Sequence, residues 1–310
     1  MKFRSFLYAI VMSLIILPTT GCLLRSRTVE PRTNGQPLKT ATQDELIQYV
    51  NTEAARIHSM RATVDIDASV GGEKKGKITD YEEIRGYVLA RKPAMLRMKG
   101  LLPVVRTTAF DMVSNGSIFK LWIPPKNRFI EGRNDVSTPN IAQPLENMRP
   151  QQIYDALLLP KIQEGEFAAV ENGSEHVRDS KGREIVQSDY VLHIFKKISD
   201  TQAHLERNII FSRIDLLPHQ QLIFDENNNV VTDVRYQGYK DFGGVNFPSQ
   251  IEIWRPQEEY DIVLHVAKLE LNLDLADDQF ELAQPSGAQV LHLDHPQSKV
   301  SQNSGNSGMN

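Results

Sequence analysis

The chain contains few residues whose types and spacing could carry out chemistry. Of its eight histidines, only His292 and His295 lie close enough in sequence to share a metal ion, with Asp294 as a third ligand. Asp65 and Asp67 share one face of a predicted strand, but no base accompanies them. No catalytic serine, zinc-protease, phosphate-loop or dinucleotide-binding pattern occurs. We therefore expect no catalytic site, metal site or cofactor, and no enzymatic activity.

The single cysteine, Cys22, follows a stretch that is typical of an export signal. Residues 1–4 are basic, and residues 6–17 form an apolar run that is too short to span a membrane comfortably. Small residues precede the cysteine in an order that resembles a bacterial lipobox, with Thr19 where Leu, Val or Ile is usual. We predict that residues 1–21 form a lipoprotein signal peptide and that Cys22 carries acyl groups. An ordinary signal peptide that leaves Cys22 free is the alternative.

Composition and length indicate one large exported domain. The formal charge is −4, and no run of Lys and Arg is interleaved with aromatic residues, so we expect no nucleic-acid partner. With one cysteine, an intramolecular disulfide is excluded and the fold must depend on core packing. We predict a flexible tether over residues 22–40, a folded domain over residues 41–293 and a disordered tail over residues 294–310.

Hydrophobic periodicity predicts an α+β fold dominated by strands. Thr42 and Glu45 have capping-box spacing, and an amphipathic helix is expected over residues 42–58. A second helix should begin near Pro150 and end before Pro160. Elsewhere apolar and polar residues alternate in about eleven segments separated by turn residues, which is typical of an antiparallel sheet with one apolar face.

The last long strand, predicted from Tyr260 to Leu275, changes the phase of its alternation. Its apolar residues occupy even positions up to Val266 and odd positions from Leu269 onward. Because a two-residue period cannot change phase in a regular strand, we expect a bulge or a change of sheet face around residues 267–268. Such a bulge curls a sheet, and a curled sheet can enclose a cavity. A bulge that only relieves an edge is the alternative.

Four segments follow one another in an order that resembles the LolA/LolB family of lipoprotein-sorting carriers and receptors. They are KGLLPVVR, RPQQIYDALLLP, VVTDVRYQGYKDFGGVNFPSQIEIWRP and LNLDLADDQFELAQPSGAQV, and the resemblance covers roughly residues 40 to 290. Phe280 and Pro285 are spaced differently from the family's closing element. Residues 132–150 and 164–206 are longer than the family core requires.

The resemblance implies an incomplete barrel whose helices cover an apolar cavity for acyl chains. In the receptor a leucine on a protruding loop helps to pass cargo to the membrane, and the matching loop here contains Leu101, Leu102 and Val104. That loop could instead fold onto its own domain. For any one of the cavity candidates, ordinary core packing is the alternative that the pattern favours. The candidates are Val64, Ile66, Phe110, Met112, Phe119, Leu121, Leu264 and Leu271.

These expectations define a lipid-anchored envelope protein, attached through its N-terminus to the outer membrane and facing the periplasm. Its expected partners are an acylated lipoprotein or a lipid, together with a periplasmic carrier protein. Two alternatives stay open. One is a carrier or sensor of a free lipid or glycolipid on the same fold, and the other is a structural component of an envelope complex with a filled core.

Overall fold

The computed structural model describes residues 37–74, 76–134, 148–178, 182 and 184–293. The predicted signal peptide, Cys22 and the predicted tail of residues 294–310 lie outside the described residues. Within the predicted tether, Lys39 donates its backbone N–H to the carbonyl oxygen of Arg213 at 2.7 Å. The end of that segment is therefore held against the folded domain.

Two α-helices lie in the described part of the chain, both where the sequence predicts them. Helix α1 spans Gln43–Arg56, and helix α2 spans Pro150–Leu157. The predicted capping box is present, because Thr42 N–H donates to Glu45 Oε2 at 2.7 Å and Glu45 N–H donates to Thr42 Oγ1 at 3.3 Å. These two bonds satisfy backbone donors that a helix start leaves without partners. Short 3-10 helices span Pro124–Lys126 and Asp277–Phe280.

The described residues form fifteen strands in one sheet, more than the eleven or so expected. Their bounds are β1 Ser59–Gly72, β2 Lys77–Asp80, β3 Ile84–Arg91, β4 Met95–Leu101, β5 Thr108–Ser114, β6 Ile118–Ile123, β7 Arg128–Arg133, β8 Glu166–Arg178, β9 Glu184–Lys197, β10 Ala203–Ser212, β11 Pro218–Phe224, β12 Val230–Asp241, β13 Asn246–Arg255, β14 Tyr260–Leu271 and β15 Gln289–His292. The sequence pattern misses β2, β8 and β15. Strands β2 and β15 have four residues each, too few to show an alternation. Strand β8 lies at the edge of the sheet. An edge strand does not need one apolar face, so its residues need not alternate between apolar and polar.

In the described part of the chain the sheet is open, since its two end strands, β15 and β8, do not pair with each other. The order is β15-β7-β6-β5-β4-β3-β1-β14-β13-β12-β11-β10-β9-β8, and β2 pairs with β1. Every pairing is antiparallel except that of β15 with β7. Strands β8 and β9 fall within residues 164–206, the segment that is longer than the family core requires. This additional segment therefore extends the sheet at one edge.

The change of phase in the last long strand produces the predicted bulge. Between β1 and β14, Thr63 pairs with Lys268 and Val64 pairs with Val266, which leaves Ala267 without a partner on β1. The extra residue lets the apolar side chains on either side of the bulge keep facing the core. The strand itself ends at Leu271, earlier than the predicted Leu275.

The core of the described residues consists of two clusters of buried apolar residues. In the larger cluster, the central strands pack against α2 through Ile153 and Leu157. In the smaller cluster, Leu46 and Val50 of α1 pack against residues of β9 and β10, among them Phe211. Full burial of such side chains contributes about 1.5–3 kcal/mol each to folding, so the helices hold the curled sheet in shape.

Candidate functional site

An apolar cavity of about 350 Å³ lies at one end of strands β1 and β3 to β7. Its volume falls in the range of pockets that bind small ligands. The side chains that line it are nearly all apolar. They are Ile66, Ala68, Tyr81, Ile84, Met98, Leu102, Pro103, Ala109, Phe110, Leu121, Ile123, Pro125, Met148 and Ile262, together with the charged Glu82 and Lys126.

The mouth of the cavity is formed by three chain connections. Tyr81–Glu82 lies between β2 and β3, Leu102–Pro103 lies between β4 and β5, and Pro125–Lys126 lies between β6 and β7. These connections share one end of the sheet because β3 to β7 are consecutive antiparallel neighbours. The wall is therefore built from strands, and the mouth is built from loops.

A pair of glycines makes room for bulky side chains on the wall. Gly86 of β3 and Gly100 of β4 are direct partners in the sheet. A Cβ atom at Gly86 would overlap with Ile66, and a Cβ atom at Gly100 would overlap with Phe110 and Ile84. The missing side chains let these three apolar residues lie directly over the sheet backbone at the cavity.

The loop between β4 and β5 forms a tight apolar projection beside the mouth. Leu102 N–H donates to the carbonyl oxygen of Thr107 at 2.8 Å, and Arg106 N–H donates to that of Leu102 at 3.0 Å. At the tip, 98% of Val104 and 66% of Val105 is exposed. Val104 also has φ of +63°, a conformation that β-branched residues rarely adopt. The loop thus presents apolar side chains to solvent at a cost in backbone conformation.

The predicted loop residues occupy three different environments. Leu102 lies on the cavity wall, and Val104 is exposed at the tip of the loop. Leu101 is the last residue of β4, where Leu96, Met98 and Gly100 face inward, so its side chain lies on the outer face of the sheet. At Val104 the loop projects into solvent and does not fold back over the mouth of the cavity.

Three of the eight predicted cavity residues line the cavity, namely Ile66, Phe110 and Leu121. The other five lie elsewhere in the larger apolar cluster, where Val64, Met112, Phe119 and Leu264 are buried and Leu271 is partly buried. Strand alternation predicts which face of the sheet a residue occupies. It does not predict whether the space above that residue is filled, which depends on α2 and on residues distant in sequence.

The sequence prediction missed several residues of the wall. Ala68 and Ile262 are partners across β1 and β14, and both line the cavity. Each continues the inward-facing positions of its own strand, beside Ile66 and Leu264 respectively. The alternation of inward-facing positions in each strand was therefore the sequence signal that could have placed Ala68 and Ile262 on the cavity wall. Met148, by contrast, belongs to no predicted strand or helix, and no pattern in the sequence marked it.

Ionisable groups show no arrangement for metal binding in the described ranges of the chain, where no three His, Cys, Asp or Glu side chains converge. His292 Nδ1 lies 3.7 Å from Glu131 Oε2, and His295 lies outside the described residues.

In α2, burial raises the pKa of Asp155 to about 6, although its side chain accepts a hydrogen bond from Gln151 Nε2 at 2.8 Å. That carboxyl group lies apart from the residues that line the cavity.

The fold and the site together define an open, curled antiparallel sheet with two covering helices and an apolar cavity at one end of its strands. No helix in the described part of the chain is long and apolar enough to span a membrane.

Comparisons with known proteins find solved structures that are similar to this chain at low sequence identity. A LolA superfamily protein, NE2245 of Nitrosomonas europaea, is 13% identical with a TM-score of 0.47, over 78% of this chain and 99% of that one. A DUF1329 family protein of Desulfovibrio piger is 13% identical with a TM-score of 0.48, over 76% of this chain and 97% of that one.

No protein-family model matches the chain. A protein of Invertebrate iridescent virus 3 that is named as a helicase, 087L, is 22% identical over 235 residues, which is 75% of this chain. The chain spans only 21% of the length of that viral protein. These comparisons assign no function to this chain. The function proposed for it is therefore inferred from its own cavity.

Proposed function

We propose that this protein is a lipid-anchored envelope protein that binds the acyl chains of lipoproteins and helps to deliver them to the outer membrane. The observation that carries the proposal is the apolar cavity of about 350 Å³. An apolar loop projects beside the mouth of this cavity. An apolar cavity of this size that is open to solvent exposes surface that an acyl chain would cover.

The volume of the cavity limits what it can hold. At about 30 Å³ for a group the size of a water molecule, it accommodates about ten methylene-sized groups, which is most of one acyl chain. Burial of about 0.8 kcal/mol per methylene gives on the order of 8 kcal/mol, part of which is offset by the lost freedom of the bound ligand. The cavity as it stands therefore favours one chain at a time.

The loop between β4 and β5 supports a role in transfer. Val104 and Val105 project from the same loop whose Leu102 and Pro103 line the cavity. An apolar tip of this kind would enter the acyl boundary of a membrane and bring the cavity mouth to its surface. Lipidation of Cys22 would keep the protein at that membrane, since several acyl chains are needed for stable attachment.

The proposed role is binding and transfer, without catalysis. A periplasmic carrier protein would deliver the acylated cargo to the mouth. Leu23 rather than an aspartate after the cysteine accords with an outer-membrane location facing the periplasm. A free lipid or glycolipid is the second candidate ligand, because the cavity would also take one acyl chain of such a molecule.

A transfer assay tests the proposal, using the chain from Leu23 to Asn310. The protein is loaded with a fluorescent acylated peptide and mixed with phospholipid vesicles, and the rate of transfer is measured. Val105→Asp should slow transfer at least about tenfold, since it removes an apolar contact worth about 1.5–3 kcal/mol at the membrane. Binding of the peptide in solution should not change, because Val105 does not line the cavity.

The matched control is Ile198→Asp. Ile198 is 65% exposed, against 66% for Val105, and lies in the connection between β9 and β10. This control should transfer the peptide at the rate of the unchanged protein. Equal rates for both variants would show that the loop has no special role in transfer, and failure of the unchanged protein to load the peptide would refute the proposed function.

A further inference from the structure

The cavity wall contains two glycines that the backbone does not require. Gly86 and Gly100 lie inside strands β3 and β4, where glycine weakens a sheet relative to alanine. Neither has a positive φ angle, so a residue with a side chain could adopt the same backbone conformation. Both are buried, and they are direct partners across the two strands. Glycine at these positions is therefore explained by the space above the sheet.

That space is occupied by the ends of side chains that line the cavity. A Cβ atom at Gly100 would lie 2.5 Å from Cε1 of Phe110 and 2.6 Å from Cδ1 of Ile84. A Cβ atom at Gly86 would overlap with Cδ1 of Ile66. Phe110, Ile84 and Ile66 all line the cavity. They can lie over the bare backbone because both glycines lack a side chain.

The glycine pair lies halfway between the mouth of the cavity and its deep end. Leu102 lies at the mouth, Gly100 is two residues deeper along β4, and Met98 is four residues deeper. Two residues of a strand span about 6.6 Å, so the pair divides the wall into two parts of similar length. Phe110 is the partner of Gly100 on β5 and lies at the same depth. A chain that reaches Met98 from the mouth therefore passes the level of Gly100 and Phe110.

A methyl group at Gly100 would move two side chains into this passage. The atoms that it would meet are the ends of Phe110 and Ile84, which can rotate, and not the backbone. The sheet lies on one side of these ends and the open cavity on the other, so they would shift into the cavity. The fold should therefore tolerate an alanine at this position, while the passage to Met98 narrows.

We propose that Gly86 and Gly100 determine the length of acyl chain that the cavity accepts. The bare backbone at this level keeps Phe110 and Ile66 close to the sheet and leaves the deep half of the cavity open. This inference rests on the proposed function, because it requires that an acyl chain enters the cavity. Side chains at the two positions would confine a ligand to the outer half, which is about five of roughly ten methylene-sized groups.

The test is a set of binding titrations of the chain from Leu23 to Asn310 with saturated primary alcohols of increasing chain length. Thermal unfolding of each variant is measured in parallel. The main variant is Gly100→Ala, and the double variant Gly100→Ala with Phe110→Ala removes the ring that would obstruct the passage. The matched control is Gly173→Ala on the edge strand β8, where a Cβ atom would meet only Val191, at 3.0 Å.

For the unchanged protein and the control, affinity should rise about fourfold per methylene up to about ten carbons. For Gly100→Ala the rise should stop near five carbons. The five methylene groups left outside amount to a loss on the order of a thousandfold for the longest alcohols, whereas the shortest that bind measurably should bind equally well. The Tm should change by no more than about 4 °C. The double variant should regain the longer range.

A rise that continues to about ten carbons in Gly100→Ala would overturn the inference and leave the proposed function intact. Equal weakening of alcohols of every length would also overturn it, because general damage to the cavity has no preference for length. Gly86→Ala, which displaces Ile66 at the same depth, repeats the test if Gly100→Ala does not fold. If no alcohol binds the unchanged protein, the cavity takes no acyl chain, and the proposed function fails together with the inference.

Discussion

Filling the cavity from within tests whether it is the site of acyl-chain binding. Ala68 lies on β1 with its small side chain on the cavity wall, opposite Ile262 in the register of β1 and β14. Ala68→Phe would place a phenyl ring in the open space. A phenyl ring takes the place of about four methylene groups, so binding should lose about 3 kcal/mol, or about a hundredfold in Kd.

The assay is a fluorescence titration of an acyl-chain ligand, combined with thermal unfolding of the same samples. Since Ala68→Phe adds apolar contacts in an existing cavity, its Tm should be equal to or higher than that of the unchanged protein. Weaker binding at unchanged or greater stability is a combination that general damage to the fold would not produce. The matched control is Ala169→Phe, because Ala169 is exposed on β8, away from the cavity. Unchanged affinity in Ala68→Phe with the fold intact would refute the reasoning.

Three further predictions follow from the structure. Affinity should rise about fourfold per methylene in a series of ligands and level off near ten carbons, where the cavity is full, whereas a constant rise beyond that length would show that the cavity expands. Asp155→Asn should stabilise the protein at pH 7.5 and much less at pH 4, as measured by urea unfolding. The reason is that burial raises the folded-state pKa of Asp155 to about 6, so the ionised carboxyl destabilises the fold fully above that pH, and the cost decreases as the pH falls toward the ordinary pKa. A pH-independent effect would contradict this. Thr42→Ala should cost about 1 kcal/mol and lower the Tm by about 2–4 °C, while Thr42→Ser should retain most of the stability, because only the hydroxyl is needed for the helix cap.

Local features of the fold could be predicted because each is specified by neighbouring residues. The capping box of Thr42 and Glu45 needs only their spacing and a following amphipathic stretch. The bulge at Ala267 follows from the change of phase within a single strand. Both predictions are confirmed.

Features that depend on contacts between residues far apart in the sequence could not be predicted from local patterns. Strand β15 has four residues and exists because it pairs in parallel with β7, more than 150 residues earlier in the chain. Phe119 and Leu121 face the same side of β6, yet Leu121 lines the cavity while Phe119 lies under the guanidinium of Arg149, 5.0 Å from its ring centre. Nothing in the alternation of β6 separates these two residues. The difference arises from the packing of the chain that leads into α2.

The central claim is that the cavity takes up an acyl chain, and native mass spectrometry tests it most directly. The chain from Leu23 to Asn310 is purified without detergent, measured, and measured again after addition of an acylated peptide. We predict an added mass equal to one acyl-chain ligand, and its loss in Ala68→Phe. A mass equal to that of the protein alone in both samples would contradict the claim, because a cavity of about 350 Å³ with an apolar wall would then have no affinity for the ligand that fits it.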